Sequence, residues 1–322
     1  DINQDCLMLL KLFLRYSLEK EFNLKNHNLN ILYQKIKTQI KYIPEQKILD
    51  GIIRHRIITT LNKEKEILNL MPNLEKDLEI LFQIEKMEAM KIASITKEIA
   101  ALFAKENIPM LVIKGIPLSI QTTGNLLMRG CGDLDVFVDI NNLFNAIEIL
   151  KNNQFVIAGK DTAIESNIFY RNYQKFVNSE ITLYKKKSDT IQFIDLHWRI
   201  SNIRGFLPEF KSFWDNKGEI NINSQKVFTL SKKDAFLHSC LHAENDNWMC
   251  LRNILDISRL AMHISIDINF SNNNKIIEKS LLIAFDIFPS NSLFRFRLKR
   301  PIWKVKRILK RGKIFQVLQW RS

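Results

Sequence analysis

Two aspartates two residues apart, in and just before an apolar run, constrain this chain more than any other feature. Asp133 precedes the run Leu134–Val138 and Asp135 lies within it. Side chains alternate along a strand, so a strand here points both carboxylates to the same side of a sheet. Like charges so close repel each other unless a cation lies between them. Mg²⁺ is the usual cation, since it binds one or two carboxylates together with substrate phosphates. The pattern therefore predicts metal-assisted transfer of a phosphoryl or nucleotidyl group.

A third carboxylate, Asp195, lies in another apolar segment. It belongs to Phe193-Ile194-Asp195-Leu196, and we expect residues 180–184 and 190–198 to form a hairpin around a basic turn at Lys185 to Lys187. Burying an unpaired aspartate inside such a run is costly. If this strand lies beside the strand that carries Asp135, the three carboxylates converge. Such a set is enough for two Mg²⁺ ions about 4 Å apart.

Strands alternate with helices in the middle of the chain, which is typical of an α/β fold. Met110 to Ile113 is predicted to be a short strand, followed by a tight turn at Gly115. Apolar residues at three- and four-residue steps predict helix through most of residues 4–106. We therefore expect four segments: an N-terminal helical region at 1–84, an α/β core with a small mixed sheet at 85–200, a C-terminal helical region at 201–286 and a basic tail at 287–322.

The net charge of +14 is concentrated at the C-terminus. Eleven Lys or Arg residues and no Asp or Glu lie between residues 295 and 322, which leaves the rest of the chain at only +3. A general nucleic-acid binder is therefore disfavoured. Pro301 to Arg311 alternates apolar and basic residues at helical spacing, which is typical of an amphipathic helix that binds an anionic membrane surface. A solvated basic terminus is the plain alternative.

Cysteine usage and hydropathy bear on the compartment. None of the four cysteines forms a C-x-x-C pair, so neither a zinc site nor a disulfide framework is indicated. No apolar run reaches about 18 residues, the length expected of a spanning helix. We expect a cytoplasmic protein, peripheral at a membrane if residues 295–322 bind lipid. His238 and His242 are four residues apart, but they lack the Glu of a zinc-binding H-E-x-x-H motif.

Four motifs in order resemble a known family. Lys114-Gly115, then Arg129-Gly130-Cys131-Gly132-Asp133-Leu134-Asp135, resembles the signature of the polymerase-β-like nucleotidyltransferase superfamily. More narrowly, the chain resembles the bacterial "uncharacterised nucleotidyltransferase" family, which also carries an Asp-Leu-His-Trp strand, matched by Asp195 to Trp198. That family has a later helix with a histidine and a downstream aspartate, matched by His242 and Asp256. The resemblance covers residues 85–265 and implies a polymerase-β-like core.

The resemblance implies a role for each matched residue. Asp133 and Asp135 would bind Mg²⁺, and Asp195 would complete a second metal site or act as general base. The residues implied in substrate binding are Lys114, Gly115, Arg129, His197 and His242. Lys114 and Arg129 would contact phosphate oxygens, and backbone amides near Gly115 could add an anion nest. For His197 a hydrogen-bonded core histidine is an equal alternative, and for Arg129 a surface arginine is the alternative.

One departure leaves the donor open. Many superfamily members have Gly-Ser at the first turn, where the serine and backbone amides hold the triphosphate, whereas this chain has Lys114-Gly115. The narrower family shares that change. Relatives in that family tend to occur in polysaccharide and peptide natural-product gene clusters, which favours a biosynthetic acceptor over a nucleic acid.

The first hypothesis is an Mg²⁺-dependent nucleotidyltransferase. It would pass a nucleoside monophosphate from an NTP to a small-molecule, sugar or peptide acceptor. Glycosyl transfer from a nucleotide sugar at the same metal site is the second hypothesis. A membrane- or RNA-binding protein with a vestigial site is the third, and the intact acids at three motif positions argue against it.

Overall fold

The computed structural model describes residues 4–23, 26–159, 162, 164, 168–187, 190–201, 207–264 and 274–287. Backbone contacts divide the chain into two units. The helical unit comprises Asp1–Lys86, Met128–Gly130 and Ser239–Ser322, and the α/β unit comprises Met87–Leu127 and Cys131–His238. The described strands all belong to the α/β unit.

The described part of the helical unit is built from helices. They are α1 Gln4–Glu21, α2 Asn26–Gln39, a 3-10 turn Ile40–Tyr42, α3 Glu45–Arg54, α4 Ile58–Asn62, α5 Lys65–Leu68, α12 Leu251–His263 and α13 Asn274–Ile287. Two longer helices, α6 Pro72–Lys105 and α11 Lys232–Asn245, each contribute residues to both units. In α1 the buried residues recur at helical spacing, which places an apolar stripe toward its neighbours.

The α/β unit is organised around one mixed sheet. Its strands are β1 Met110–Val112, β2 Leu134–Val138, β3 Val156–Ile157, β4 Glu180–Lys187, β5 Thr190–His197, β6 Gly218–Ile222 and β7 Gln225–Thr229. They lie in the order β3-β4-β5-β2-β1-β7-β6. The pairs β2–β5 and β1–β7 are parallel, and the other neighbours are antiparallel. The helices of this unit are α7 Ile116–Thr123, α8 Leu143–Asn152, α9 Ile168–Val177 and α10 Phe210–Asp215.

The apolar core lies on one face of this sheet. Alternate residues of β2 and β5, such as Val136, Ile194 and Leu196, are buried with Ile99 of α6 and Ile147 of α8. Because successive side chains of a strand point to opposite faces, the intervening residues lie on the other face. Asp135 and Asp195 are among those intervening residues. The burial of the core residues therefore determines which face of the sheet carries the carboxylates.

The β4–β5 hairpin differs in one respect from its prediction. Lys185 to Lys187, expected to form the turn, are strand residues, and the register pairs Lys187 with Thr190. The aliphatic stem of Lys185 lets it lie on the core side, where its ammonium is 5.4 Å from the centre of the Phe155 ring and 3.6 Å from Glu98. Three consecutive charges therefore did not indicate a turn here.

Several predictions about the fold are confirmed. The chain is an α/β protein, and β2 has the predicted bounds of Leu134–Val138. The division into segments at 1–84, 85–200, 201–286 and 287–322 stays a prediction. The predicted amphipathic helix in the basic tail lies outside the described residues. No helix in the described part of the chain has both the length and the apolar character needed to span a membrane.

Candidate active site

The two apolar strands that carry the carboxylates are neighbours in the sheet. β2 and β5 run parallel, with Asp135 directly opposite Asp195 and Phe137 directly opposite His197. Opposite residues of paired strands point to the same face, so these side chains lie together on the face away from the apolar core. Asp133 directly precedes β2 and is exposed. The structure thus brings the three predicted acids to one end of β2.

Asp135 is the most buried of the three acids and has two cationic neighbours. Lys114 Nζ lies 2.7 Å from Asp135 Oδ1, and His197 Nε2 lies 3.0 Å from the same oxygen. Burial alone would raise the pKa of this carboxyl, but the hydrogen bond from His197 and the charge of Lys114 hold the pKa well below its usual range. Both contacts therefore favour the ionised form of Asp135.

His197 bridges two carboxylates. Its Nε2 faces Asp135, and its Nδ1 lies 2.9 Å from Oε2 of Glu180, the residue opposite it on β4. Burial lowers the pKa of a histidine, but the hydrogen bonds to Asp135 and Glu180 prevail and raise the pKa of His197 to about 9. The imidazolium therefore donates from both ring nitrogens at neutral pH. A charged, two-ended donor of this kind orients Asp135, and its burial and two hydrogen bonds agree with the alternative of a hydrogen-bonded core histidine. Substrate binding by His197 stays a prediction.

Replacing Glu180 by Gln is expected to lower the pKa of His197 by about one pH unit, because one of its two anionic partners is lost. The wild-type pKa lies near 9, above the unfolded value of 6.5. The contribution of protonated His197 to the stability of the folded protein is therefore fully present below pH 6.5 and is lost as the pH rises through 9. Only six histidines occur in the chain, so ¹³C-labelled histidine gives NMR titration curves that His197→Gln can assign. If the titration midpoint of His197 is the same in Glu180→Gln as in the wild type, His197 does not bridge Asp135 and Glu180.

Asp195 has a different environment from Asp135. Thr182, opposite it on β4, donates a hydrogen bond of 2.6 Å from Oγ1 to Oδ1 of Asp195. Burial is the main influence that raises the pKa of this carboxyl, and the negative charges of Asp135 and Asp133 raise it further, although Thr182 opposes them. Two neighbouring carboxylates with pKa values shifted in opposite directions are typical of sites where one group accepts a proton and the other stays ionised.

Lys114 and Gly115 connect β1 to α7. Gly115 has φ of +62° and ψ of −122°, a conformation that side chains of L-residues rarely adopt, and it precedes the first turn of α7. A Cβ added there would meet only ordinary contacts at 3.6 Å, so backbone conformation rather than space requires the glycine. The turn lets Lys114 reach Asp135, whose charge raises the pKa of the lysine against the opposing effect of burial.

Two of the predicted substrate-binding residues, Arg129 and His242, belong to the helical unit. Arg129 Nε donates a 2.9 Å hydrogen bond to Oδ2 of Asp256, and both side chains are buried. The alternative of a surface arginine is therefore wrong. His242 lies 3.5 Å from Asp246, one helical turn further along the chain. Phosphate binding by Arg129 and substrate binding by His242 stay predictions.

Sequence reasoning missed Glu180 and Thr182. Each faces a site residue directly across the β4–β5 pair. The sequence did contain a signal, since Ser and Asp, residue types that favour turns, follow the lysines at positions 188 and 189. The basic run hid that signal because three lysines were assigned to the turn. The residues that hold His197 and Asp195 in place could therefore be found once the hairpin register was known.

The acids suit a divalent cation by their chemistry. As placed, no three His, Cys, Asp or Glu side chains among the described residues lie close enough together to hold a metal ion. Carboxylate oxygens are nevertheless the hard donors that Mg²⁺ prefers. The negative charges of Asp133 and Asp135 add to the effect of burial in raising the pKa of Asp195. A bound cation would relieve the repulsion between these carboxylates. Both cationic neighbours of Asp135 contact Oδ1, so its second oxygen is the one suited to a metal.

A known protein family matches most of this chain. The model of a family described as "Uncharacterised nucleotidyltransferase" matches residues 43–280. The crystal structure of an antigenic nucleotidyltransferase-like protein from Paracoccidioides brasiliensis is similar over 71% of this chain and 92% of that chain, with 13% identity and a TM-score of 0.39. No curated protein matches this chain significantly. The family match covers well over half of the sequence, and the chain belongs to the uncharacterised nucleotidyltransferase family.

Proposed function

We propose that this protein transfers a nucleoside monophosphate from an NTP to a small-molecule, sugar or peptide acceptor, with Mg²⁺ bound at Asp133 and Asp135 and with Asp195 either completing a second metal site or acting as general base. The observation that carries the proposal is the parallel pairing of β2 and β5, which sets Asp135 opposite Asp195 beside Lys114. Bound Mg²⁺ would neutralise the phosphate oxygens and polarise the phosphorus that is attacked. Side chains and backbone groups of the α/β unit would bind the phosphates of the donor and accept the proton of the acceptor.

Lys114 and the first turn of α7 suit the phosphates of the donor. Lys114 offers a point charge, and the start of a helix presents backbone N–H groups that favour an anion. Pro117 removes one of those donors, so fewer amides are available than at an ordinary helix start. Lys114 also pairs with Asp135, so binding of the triphosphate would share this cation between a carboxylate and a phosphate.

Asp195 is suited to accept the proton from the acceptor. An attacking hydroxyl must lose its proton as its oxygen bonds to the α-phosphorus, while the bond to the leaving pyrophosphate breaks. In this proposal the proton passes to Asp195, and the electron pair of the broken bond stays on pyrophosphate. The raised pKa of Asp195 makes it a better base than Asp135, whose pKa is lowered. Thr182 orients the carboxylate through its 2.6 Å hydrogen bond.

Replacing Asp195 by Asn is expected to lower kcat by about 10²- to 10⁴-fold, the usual contribution of a general base. In the wild type the rate should rise with pH as Asp195 loses its proton, and the raised pKa places that rise above the usual aspartate range. A pH–rate profile of both proteins measures the effect. If the Asn variant keeps both the wild-type rate and the same acid limb, Asp195 is not the base.

The transferred group is identified by product mass. Full-length protein is incubated with Mg²⁺, each α-³²P-labelled NTP in turn and a cell extract that supplies acceptors. Release of pyrophosphate together with a labelled nucleotidyl adduct supports the proposal. A hexose adduct formed from a nucleotide sugar, with no nucleotidyl adduct from any NTP, would favour glycosyl transfer instead. Omission of Mg²⁺, or its replacement by EDTA, should abolish the labelled product.

A further inference from the structure

An exposed apolar strip continues from the acids along the same face of the β4–β5 hairpin. Phe193 lies two residues before Asp195 on β5 and faces Tyr184 of β4, and Tyr184 in turn faces Val156 of β3. Ile191 lies two residues before Phe193. Ile191, Val156 and Phe193 expose 53%, 52% and 41% of their surface. We call Val156, Tyr184, Ile191 and Phe193 the hairpin platform.

The hairpin platform is not part of the apolar core. The residues that alternate with it, Leu183 and Ile194, are completely buried on the other face of the sheet. A strand needs only one apolar face to pack on a core, and its solvent face normally carries polar residues. Here four apolar or aromatic side chains are instead grouped on the solvent face, and exposed apolar patches commonly mark binding sites.

The position of the hairpin platform relative to the acids is set by strand geometry. Residues two apart on a strand are separated by about 6.8 Å, so Phe193 is one such step from Asp195. Across the sheet the order is β1, β2, β5 and β4, with Lys114 following β1 and Asp195 on β5. Tyr184 on β4 and Val156 on β3 thus lie beyond Asp195 on the side away from Lys114, while Ile191 and Phe193 lie on the same strand as Asp195. A molecule that occupies the hairpin platform can reach Asp195 without competing for the lysine.

We propose that the hairpin platform binds the acceptor, and that the acceptor carries its reactive hydroxyl on a sugar ring. This inference rests on the proposed function, since it takes Asp195 as the base and therefore places the acceptor hydroxyl beside it. The rings of Tyr184 and Phe193 are tilted by 44° with centres 6.4 Å apart, so they form an open surface and not a parallel slot. The C–H face of a pyranoside suits such an open pair, because ring faces are electron-rich and C–H groups are weakly positive.

Polar groups at the border of the hairpin platform match the hydroxyls of a sugar. Thr182 lies between Tyr184 and Glu180 on the same face of β4, and exposed Lys186 faces Ile191 at the far end. Small-molecule sites combine apolar and aromatic surfaces with a few polar groups that fix orientation. A planar nucleobase of the donor would be the competing occupant, and the experiment below separates the two.

Saturation-transfer difference NMR on the full-length protein tests this inference without turnover. The probes are methyl glucopyranoside, methyl galactopyranoside and methyl mannopyranoside, with adenosine and uridine as the competing class. We expect at least one pyranoside to receive saturation, and Phe193→Ala and Tyr184→Ala each to weaken its binding by roughly tenfold. Tyr173→Ala, which removes an aromatic side chain with 52% of its surface exposed on α9, is the matched control and should change nothing.

Binding of a labelled, non-hydrolysable NTP with Mg²⁺ is measured on the same variants. The acceptor assignment predicts that the two hairpin variants keep NTP affinity within about twofold, whereas a nucleobase on Phe193 would cost roughly tenfold. Loss of NTP affinity in Phe193→Ala, or saturation of nucleosides alone, would overturn the inference. If the wild type binds pyranosides at the hairpin platform but no NTP, the proposed function fails and the sugar site stands.

Discussion

Replacement of Asp133 by alanine should reduce nucleotidyl transfer by on the order of 10³-fold while leaving the fold intact, because a bound metal supplies several kcal/mol of charge stabilisation. Asp133 is exposed and precedes β2, so its side chain contributes nothing to the apolar core. Its negative charge acts on both Lys114 and Asp195. Labelled-NTP turnover measures the activity, and thermal unfolding followed by circular dichroism measures the fold.

Asp139→Asn is the matched control for that variant. Asp139 directly follows β2 at its other end, where its Oδ1 accepts a 2.8 Å hydrogen bond from the backbone N–H of Asn141. A substitution there alters a strand-end aspartate outside the acids, so activity should stay within a few-fold of the wild type. Full turnover by Asp133→Ala would remove this residue from the metal site, and equal losses in both variants would indicate damage to β2.

Replacement of Arg129 by Met is expected to lower the free energy of unfolding by about 3–5 kcal/mol, the usual cost of removing one partner of a buried ion pair. Asp256 would keep a buried negative charge, and its Oδ1 already lacks a hydrogen-bond partner among the described residues. The positive charge of Arg252 also acts on Asp256, which should hold the loss near the lower limit. Urea unfolding followed by circular dichroism measures the change.

A double variant separates the ion pair from a phosphate-binding role for Arg129. Arg129→Met with Asp256→Leu removes both charges and should recover most of the lost stability, since an apolar pair of similar size can replace a buried ion pair. If Arg129→Met unfolds like the wild type but binds NTP more than about tenfold more weakly, the phosphate-binding prediction is right and the structural one is wrong. Arg129→Lys retains the charge and serves as the conservative variant.

Local patterns predicted much of the α/β unit. The alternation around Asp135 and the apolar run around Asp195 indicated two strands correctly, because the period of a strand is short and both segments have one buried face. Their adjacency could only be stated as a condition, since pairing between distant segments depends on the whole sheet. The parallel register that sets Asp135 opposite Asp195 came from the structure.

Partners across strands were beyond the reach of local patterns. Glu180 is a single exposed acid, and nothing near it in sequence distinguishes it from other surface acids until its pairing with His197 is known. Arg129 shows the opposite difficulty, because it lies four residues before Asp133 in the motif yet its partner is Asp256, 127 residues away. Proximity in a motif does not establish proximity of side chains, and burial changes what a charged residue must pair with.

The alternation of β5 also bears on how this site could change during evolution. Ile194 and Leu196 hold the strand in the sheet, while Ile191, Phe193 and Asp195 point away from the core. A substitution at Ile191 or Phe193 can therefore change the exposed face of the strand without disturbing the packing, whereas a one-residue shift of the strand would exchange its two faces entirely. Residues that pack in the core therefore alternate along this strand with residues that are exposed. From the proposed acceptor site, we expect relatives that use different acceptors to differ first at positions 191 and 193.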